Sequence, residues 1–367
     1  MTRKIAGMVL LFFSMQVKAQ SSGQIPLKAA HWEFAPDKVR FITHRDVPAM
    51  ALTSVNSQAI LKNLDFRDGT IEYDIEPVGD DFTAIYFRRA DNKEKECFYF
   101  RTPRAGKPHA PQGVQYAPFL DEVNLWDLYY QFQGPADFDR NRWNHVKLII
   151  SGRQMRVFVN HQPVLEIPYL EGNTDHGGIA FDGQAYIANL VIKPGVTAGL
   201  SPVPGLDPTF SDARYLRKWL VSQPDSMPHE PDILRDFPSP KATWSPLIAE
   251  RRGLVNLTRQ FGKSVTPRLV WLKTTIQADS AQLKKISLGF SDDIWVYVNG
   301  APVYADKNRF GTPMAKVPAG RCTLENTSFY LPLKTGNNEL VIGVANNFFG
   351  WGLIARMDDI EGILLEY

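Results

Sequence analysis

The chain contains few cysteines and has a small net charge. Cys97 and Cys322 are its two cysteines in 367 residues. Two cysteines do not make a zinc site. Because they lie in different predicted domains, in strand-like sequence, we predict two separate thiols rather than a disulfide. The formal net charge of +2 does not favour nucleic acid or an anionic surface as the main partner.

The sequence motifs of several common enzyme classes are also absent. The chain has no Gly-rich phosphate loop, no Gly-x-Ser-x-Gly nucleophile elbow and no histidine pair at helical metal-binding spacing. These absences disfavour phosphate-loop chemistry, nucleophile-elbow hydrolysis and a helical zinc site. The hydrophobic content of 44% is ample for a buried core.

No apolar run is long enough to span a bilayer as a helix, which takes about 20 residues. A shorter apolar run lies at the N-terminus, where Arg3 and Lys4 precede the apolar residues 5–13. A basic start, a short apolar run and a small residue such as Ala19 are typical of a signal peptide. We predict a signal peptide over residues 1–19 and an exported protein, periplasmic or extracellular. The alternative is a buried N-terminal helix.

Residues 28–194 show the alternation that is typical of β-strands. Within residues 70–76, Ile71, Tyr73 and Ile75 alternate with acidic residues, which gives one buried and one polar face. Other short strand-like segments follow, separated by Gly- and Asp-containing turns and without a helical period. The pattern predicts an antiparallel β-sandwich or jelly roll.

A second strand-rich region follows a Pro- and Gly-rich stretch. Residues 195–210 have the composition of a linker, and strand-like segments resume in residues 211–367. Each half contains a hairpin with a tight turn, at Asn160-His161 and at Asn299-Gly300. We predict an all-β protein with two β-sandwich (jelly-roll) domains in tandem.

Two segments of the first half carry a family resemblance. RWNHVKLIISGRQMRVFVNHQPVLEI contains a Trp that opens a strand and then a hairpin, and GGIAFDGQAYIANLVIKP closes the region. In these features residues 28–194 resemble concanavalin A-like domains, among them laminin G and 3-keto-disaccharide hydrolase-like domains. The middle segment, FYFRTP…VQYAPFLDEVNLWDLYYQF, is similar to exported bacterial domains of the same fold. The resemblance implies a sandwich that acts on or binds glycans.

Three segments of the second half resemble a different family. They are GLVNLTRQFG, LGFSDDIWVYVNGAPVY and GNNELVIGVANNFFGWGLIARM. Residues 211–367 thereby resemble the galactose-binding-domain-like jelly roll. Similar modules are appended to glycoside hydrolases, so the resemblance implies a supporting domain or a second, weak binding site.

An acidic pattern lies in the strand-like residues 70–76. Glu72, Asp74 and Glu76 occupy alternate positions, so their side chains share one face. Laminarinase-like retaining glycosidases carry a similar pattern, and retention requires a nucleophile and an acid about 5–5.5 Å apart. The resemblance assigns Glu72 as nucleophile, Asp74 as the group that tunes protonation and Glu76 as acid. The alternative, which we favour, is an amphipathic strand with its acidic residues in water.

A better candidate site surrounds the aromatic segment 103–138. Sugars stack their C–H faces on aromatic rings and bind fixed polar groups through their hydroxyls. A long loop that is too aromatic for disorder is typical of a binding loop, although its rings could instead pack it onto the sheet. We predict a ligand site made by six residues: Arg88, Arg101, Gln115, Tyr116, Trp126 and Tyr129.

The second domain offers two weaker candidates. Asn347 and Trp351 lie in a Gly- and Phe-containing segment that follows a strand, and either bind ligand or belong to an inward-packed turn. Asp292 and Asp293 precede the hairpin and could hold a structural calcium, since hard cations prefer oxygen ligands. A turn or capping role for Asp292 is the alternative that we favour. We expect no other cofactor.

These observations give three hypotheses for function. The first is an exported protein that recognises carbohydrate or glycoconjugate without catalysis. The second is a glycoside or 3-keto-glycoside hydrolase or lyase that uses the concave face of the first predicted domain, residues 28–194. The third is a structural or protein-interaction module. The sequence indicates no oligomeric state.

Overall fold

The protein consists almost entirely of β-strands. The structure, a computed structural model, describes residues 23–227, 238–239 and 241–365; the predicted signal peptide lies outside them. The predicted all-β class is confirmed. In the described residues the one α-helix, α1 (Leu257–Phe261), is short, and no helix has the length and apolarity that crossing a membrane requires. The domain boundaries predicted above remain predictions.

The first half is a sandwich of two antiparallel sheets. Its strands are β1 (Trp32–Phe34), β2 (Val39–His44), β3 (Val47–Leu52), β4 (Gln58–Leu61), β5 (Gly69–Pro77), β6 (Phe82–Arg89), β7 (Lys95–Arg101), β8 (Val114–Leu120), β9 (Val123–Asn124), β10 (Gln133–Gly134), β11 (Asn144–Ser151), β12 (Gln154–Val159), β13 (Gln162–Ile167), β14 (Gly178–Gly183) and β15 (Ala185–Pro194).

The two sheets bury their inner faces against each other. The eight-stranded sheet has the order β1-β4-β14-β6-β7-β8-β10, with β9 paired to β8, and the seven-stranded sheet has the order β13-β12-β11-β5-β15-β3-β2. Tyr73 and Ile75 of β5 and Ile85, Phe98 and Phe100 of the other sheet lie in the shared core. The alternation of β5 therefore turns its acidic residues outward, away from the eight-stranded sheet.

The second half forms two further antiparallel sheets. Their orders are β18-β16-β20-β25-β22-β23, with β17 and β27 paired to β20, and β19-β26-β21-β24. The strands are β16 (Lys218–Ser222), β17 (Asp225–Ser226), β18 (Trp244–Ile248), β19 (Leu254–Asn256), β20 (Arg268–Ala278), β21 (Gln282–Ser291), β22 (Asp293–Val298), β23 (Ala301–Lys307), β24 (Thr327–Leu333), β25 (Gly336–Asn346), β26 (Gly352–Met357) and β27 (Ile363–Leu365).

The two predicted hairpins are β12–β13 and β22–β23. Both central residues of each turn have a positive φ: 49° and 67° at Asn160 and His161, and 52° and 79° at Asn299 and Gly300. Two positive φ values in a two-residue turn are those of a type I′ turn, whose twist matches that of the flanking strands. Asparagine and glycine adopt this conformation at low cost, which is why the sequence signal was reliable.

The aromatic segment 103–138 differs from the predicted loop. It contains β8, which pairs with β7 inside the eight-stranded sheet, and then the short strands β9 and β10. Its continuation carries the contacts with the second half. Buried Asp127 accepts hydrogen bonds from the Gly350 N–H at 3.2 and 3.0 Å, and the Cys322 N–H donates to the Asp127 carbonyl at 3.0 Å.

The contact between the two halves is continuous with the first core. Tyr215, Leu254, Cys322 and Ile354 of the second half are buried within the hydrophobic cluster of the first. Cys322 and Cys97 are buried free thiols, as expected for two separate cysteines. The second half is therefore packed firmly against the segment that follows the eight-stranded sheet.

Candidate functional site

A cavity of about 400 Å³ lies on the outer face of the eight-stranded sheet. Strand alternation decides which side chains reach it, because Phe98 and Phe100 of β7 point into the core while the odd-numbered residues between and beside them point outward. Ala84 pairs with Tyr99 and Tyr86 pairs with Cys97 in the β6–β7 register. Two small residues beside two tyrosines leave a hollow between the rings.

The second half supplies the opposite wall of this cavity. Phe310, Arg321, Phe348 and Phe349 line it together with the outward residues of the sheet. The Trp126 ring meets Phe310 edge-on at 4.9 Å between centroids and Phe349 at 5.8 Å. The aromatic walls of the cavity thus come from both halves of the chain.

Arg101 is held at the cavity by neutral acceptors. Its guanidinium donates to the Tyr99 hydroxyl at 3.2 Å and also to the Gln115 side-chain oxygen. Tyr99 donates to the same oxygen at 2.8 Å, and the Gln115 amide donates to the Trp126 carbonyl at 2.7 Å. Burial lowers the pKa of Arg101 and raises that of Tyr99. Three of the predicted residues, Arg101, Gln115 and Trp126, are therefore brought together.

Arg321 approaches the same cavity from the second half. Its guanidinium carbon lies 4.5 Å from the Trp126 ring centroid, a cation–π arrangement, and it donates to the Ala319 carbonyl at 2.6 Å. Burial, followed by the nearby Arg101 charge, lowers the pKa of Arg321 to about 10. Two arginines thus come together beside one tryptophan.

Asp182 of β14 brings a carboxylate to the cavity. It pairs with Ala84 across β6, and the Gln58 amide donates to it at 3.2 Å. Burial raises the pKa of Asp182 to about 6, against the opposing influence of Gln58, Lys95 and Tyr86. An acidic group with this pKa is able to donate or accept a proton near neutral pH.

Tyr116 and Arg88, which were predicted to join Arg101, do not reach the cavity. Tyr116 follows Gln115 on β8, so it points to the opposite face, where its hydroxyl donates to the buried Glu96 at 2.7 Å. Arg88 has a φ of 47° at the end of β6, which turns its fully buried side chain to the Arg67 carbonyl at 2.8 Å and to Asp68 at 2.9 Å. Both residues serve the core of the first sandwich.

Tyr129 and Trp351 are also buried away from the cavity. The Tyr129 hydroxyl donates to Glu250 at 3.0 Å and accepts from Asn256 at 3.2 Å, so it joins the two halves. The Trp351 indole lies in the second core and donates to the Val344 carbonyl at 3.2 Å. These positions agree with the packing alternative: the Tyr129 ring fills the contact between the two halves and the Trp351 ring fills the second core.

Asn347 stays exposed beside the aromatic rim but does not line the cavity. Its N–H donates to Asp292 at 2.6 Å, as does the N–H of Phe348. Burial raises the pKa of Asp292 to about 7, while Asp293 forms an ion pair with Arg309. Both carboxylates therefore have protein partners, and Asp292 holds the segment that carries the two phenylalanines.

The calcium expectation stays a prediction. Within residues 23–227, 238–239 and 241–365, no group of three or more His, Cys, Asp or Glu side chains is arranged to hold a metal ion. The pairing of Asp292 with backbone N–H groups is the capping role that the sequence favoured.

The acidic strand β5 lies in the seven-stranded sheet, away from the cavity. Its three carboxylates have partners from neighbouring strands and turns. Glu72 forms an ion pair with Lys193 at 3.0 Å, and Asp74 lies 2.8 Å from the His145 ring nitrogen Nδ1. Glu76 is buried between Arg45 at 2.8 Å and His44 at 3.1 Å. This is the arrangement of an ion-paired outer surface.

Several residues of the cavity were not predicted from the sequence. Tyr99 and Asp182 lie on β7 and β14, where strand alternation alone places their side chains on the outer face. Phe310 and Arg321 carried no local signal, since they lie in an irregular stretch whose position depends on how the two halves pack. The full set of missed lining residues is Val55, Asp81, Phe82, Ala84, Tyr86, Cys97, Tyr99, Phe119, Asn124, Asp182, Phe310, Arg321, Phe348 and Phe349.

Comparisons with known proteins identify no family for this chain. No family model and no curated protein matches it. Among solved structures, a carbohydrate-binding module from Bacillus subtilis is similar at 14% identity and TM-score 0.34, over 44% of this chain and 95% of the module. A β-glucanase from Bacillus licheniformis is similar at 13% identity and TM-score 0.34, over 48% and 99%. A galectin from Caenorhabditis elegans is similar at 12% identity and TM-score 0.26, over 44% and 99%. At such scores these likenesses assign neither family nor function.

Proposed function

We propose that this is an exported protein that binds carbohydrate, without catalysis, in the cavity between its two sandwiches. The observation that carries the proposal is the composition of the cavity: aromatic rings on two sides and a few convergent polar groups on the sheet. Sugar rings stack on aromatic faces, and a small number of fixed polar partners then sets their orientation. The volume of about 400 Å³ is within the usual range for small-ligand sites.

The exposed phenylalanines at the cavity mouth support the same proposal. Phe348 is 43% and Phe349 is 41% exposed, and Phe82 on the opposite side is 50% exposed. Exposed aromatic residues gathered at one opening are typical of a binding surface. Phe348 and Phe310 have parallel rings 6.1 Å apart, which presents a broad aromatic wall to a ligand.

Calorimetry with a panel of oligosaccharides tests the proposal. We expect one class to bind to the full chain and the double variant Phe348→Ala/Phe349→Ala to weaken binding by about tenfold or more, since two stacking surfaces are removed. Tyr330→Ala is the matched control, because Tyr330 is a 59% exposed aromatic residue of β24 that does not line the cavity. Binding that the double variant leaves unchanged, or that Tyr330→Ala weakens equally, would refute this site.

A second candidate function is glycoside or keto-glycoside cleavage in the same cavity. It is favoured by Asp182, whose pKa burial raises to about 6, as is typical of a general acid. Asp81 also lines the cavity and would be the second carboxylate. Product analysis of each bound saccharide, with Asp182→Asn as the variant, tests this function. Cleavage that depends on Asp182 would replace the non-catalytic proposal.

A further inference from the structure

Arg101 and Arg321 are two buried cations that face the cavity, and neither has a carboxylate partner among the residues that the structure describes. Arg101 is 8% exposed and Arg321 is 4% exposed. In the described part of the chain, the hydrogen bonds of Arg101 end on Tyr99, Gln115 and the Gln112 carbonyl, and that of Arg321 ends on the Ala319 carbonyl. All of these acceptors are neutral. Burying a charge is costly unless another charge compensates for it.

At least one hydrogen-bond donor of Arg101 and Arg321 remains unused by the described residues. Among the described residues, the Arg321 Nε is buried without a hydrogen-bond partner. The Asn124 side-chain oxygen, which also belongs to a cavity-lining residue, has no partner there either. The Nε atoms of Arg89, Arg217, Arg268 and Arg356 also have no partner among the described residues, but of these five arginines only Arg321 lines the cavity. An acceptor that enters the cavity with a ligand would satisfy this donor.

The other charged groups near the cavity do not neutralise the two arginines. Asp182 lies on β14, which is separated from the strand of Arg101 by β6, so roughly 10 Å divides the two strands. Asp182 is occupied by Gln58 and has Lys95 nearby. Asp81 is exposed and accepts from the Phe82 N–H at 2.8 Å.

Asp127 is the remaining carboxylate in the surroundings of Arg321. Its charge acts on Arg321 only as a minor influence, after burial, Arg101 and Tyr99. Its two oxygens are held by the Gly350 N–H, and burial raises its own pKa to about 8. The two guanidinium groups consequently have no full counter-charge within the described protein.

We propose that the cavity binds an acidic saccharide, whose carboxylate or sulfate group lies between Arg101 and Arg321 while its ring contacts Trp126. This inference rests on the proposed carbohydrate binding and narrows it to anionic glycans. Guanidinium groups present donors in a planar fork that suits oxyanions. Trp126, which already stacks with Arg321, would receive the apolar face of the same sugar.

The test is calorimetry of the full chain with matched pairs of ligands that differ only in charge. One pair is an oligogalacturonide and its uncharged methyl ester; the other is a sulfated oligosaccharide and its desulfated form. We expect one acidic form to bind at least about tenfold more tightly than its neutral partner, because hydrogen bonds to charged groups are the strong ones. The two pairs distinguish carboxylate from sulfate as the anion.

Variants locate the effect. Arg101→Gln and Arg321→Gln should each remove about tenfold or more of the affinity for the acidic form and leave the neutral form unchanged, whereas Arg321→Lys should retain part of the preference. Arg156→Gln is the matched control, because Arg156 is a 46% exposed arginine that pairs with Glu166 on another sheet. If a Gln variant fails to fold, salt dependence of the parent protein serves instead, since salt should weaken only the acidic form.

The outcomes separate this inference from the proposed function. Equal binding of the acidic and neutral forms would overturn the anionic inference and leave carbohydrate binding in place. Binding of inorganic sulfate alone, lost in Arg321→Gln, with no saccharide bound, would overturn the carbohydrate assignment while retaining an anion site. No binding by any of these probes would overturn both.

Discussion

The two sheets of the first sandwich both present charged side chains on their outer faces, but they differ in how those charges are compensated. On the seven-stranded sheet, the carboxylates of Glu72, Asp74 and Glu76 meet lysine, arginine or histidine. On the eight-stranded sheet, Arg101 meets a second arginine and neutral acceptors. Compensated charges belong to a stable surface, whereas uncompensated buried charges indicate where a ligand belongs.

The packing of the second half explains why the candidate site lies on only one sheet. Phenylalanines and Arg321 of that half cover part of the eight-stranded sheet, and Asp127 and Tyr129 hold that arrangement through hydrogen bonds to Gly350 and Glu250. The acidic motif of β5, which suggested catalysis in the sequence, lies on the other sheet. A motif on one strand indicates a face; the packing of the whole chain decides whether that face borders a cavity.

The two sheets should differ most in their response to replacement of a neighbouring tryptophan, Trp126 beside the eight-stranded sheet and Trp143 beside the seven-stranded sheet. Trp126→Ala should lower the free energy of unfolding by about 3–5 kcal/mol, because the buried ring contacts both domains and leaves a void, and it should abolish saccharide binding. Trp143→Ala should cost about 1–2 kcal/mol, because Trp143 is half-buried at the other sheet, edge-on to His44 at 5.6 Å. Urea denaturation and calorimetry measure the two effects.

Equal costs for the two tryptophan variants would show that the domain contact does not depend on Trp126. Loss of binding in Trp143→Ala, with retention in Trp126→Ala, would move the site to the seven-stranded sheet.

A smaller effect should follow from removing a compensated charge. Glu76→Gln should lower the free energy of unfolding by about 1–3 kcal/mol, since the buried carboxylate accepts from Arg45 and contacts His44. It should not change saccharide binding. Glu166→Gln is the control: Glu166 belongs to an exposed ion pair, and such pairs contribute at most about 1 kcal/mol. Loss of binding or of cleavage in Glu76→Gln would restore the catalytic interpretation of β5.

The sequence predicted the fold better than it predicted the site. Alternation and turn chemistry are local signals, so the all-β class and the hairpin at Asn160 could be predicted from neighbouring residues alone. Because neighbouring residues of a strand point to opposite faces, Gln115 and Tyr116 cannot both face the cavity. The predicted site nevertheless included both residues. The Arg88 side chain leaves the alternation of β6 because of a positive φ at that residue, which no sequence pattern indicated.

The wall from the second domain could not be predicted for a different reason. Phe310 and Arg321 lie more than 180 positions from Trp126 in the sequence, and they reach it only because the two halves pack as they do. Non-local packing of this kind depends on the shapes of both folded domains. The aromatic content of the segment after β8 indicated that a contact would form, but not whether it would be with ligand or protein.

The smallest change should come from Asp182, the carboxylate on the sheet that borders the cavity. Its pKa, raised to about 6 by burial, means that it is neutral in acid and becomes negative as the pH rises past 6. A negative charge in the cavity opposes an anionic ligand, so the affinity for an acidic saccharide should fall, by up to about tenfold between pH 5 and pH 8, corresponding to about 1.4 kcal/mol. Stability should fall over the same rise, because the folded protein holds this proton more tightly than the unfolded chain does.

Asp182→Asn should flatten the pH dependence of the affinity, since an amide does not titrate, and should bind the acidic saccharide at pH 8 about as tightly as the parent protein does at pH 5. It should reduce the pH dependence of the stability without removing it, because buried Asp292 and Asp127 also have raised pKa values. Asp225→Asn, at an exposed position in β17 of the second half, should leave both profiles unchanged. Calorimetry of binding and urea denaturation at pH 5, 6, 7 and 8 provide the measurements. Affinity that rises with pH in the parent protein would show that the charged form of Asp182 favours binding, as expected for a cationic or neutral sugar. The ligand of the cavity would then not be an anion, and the two arginines would not be its binding groups.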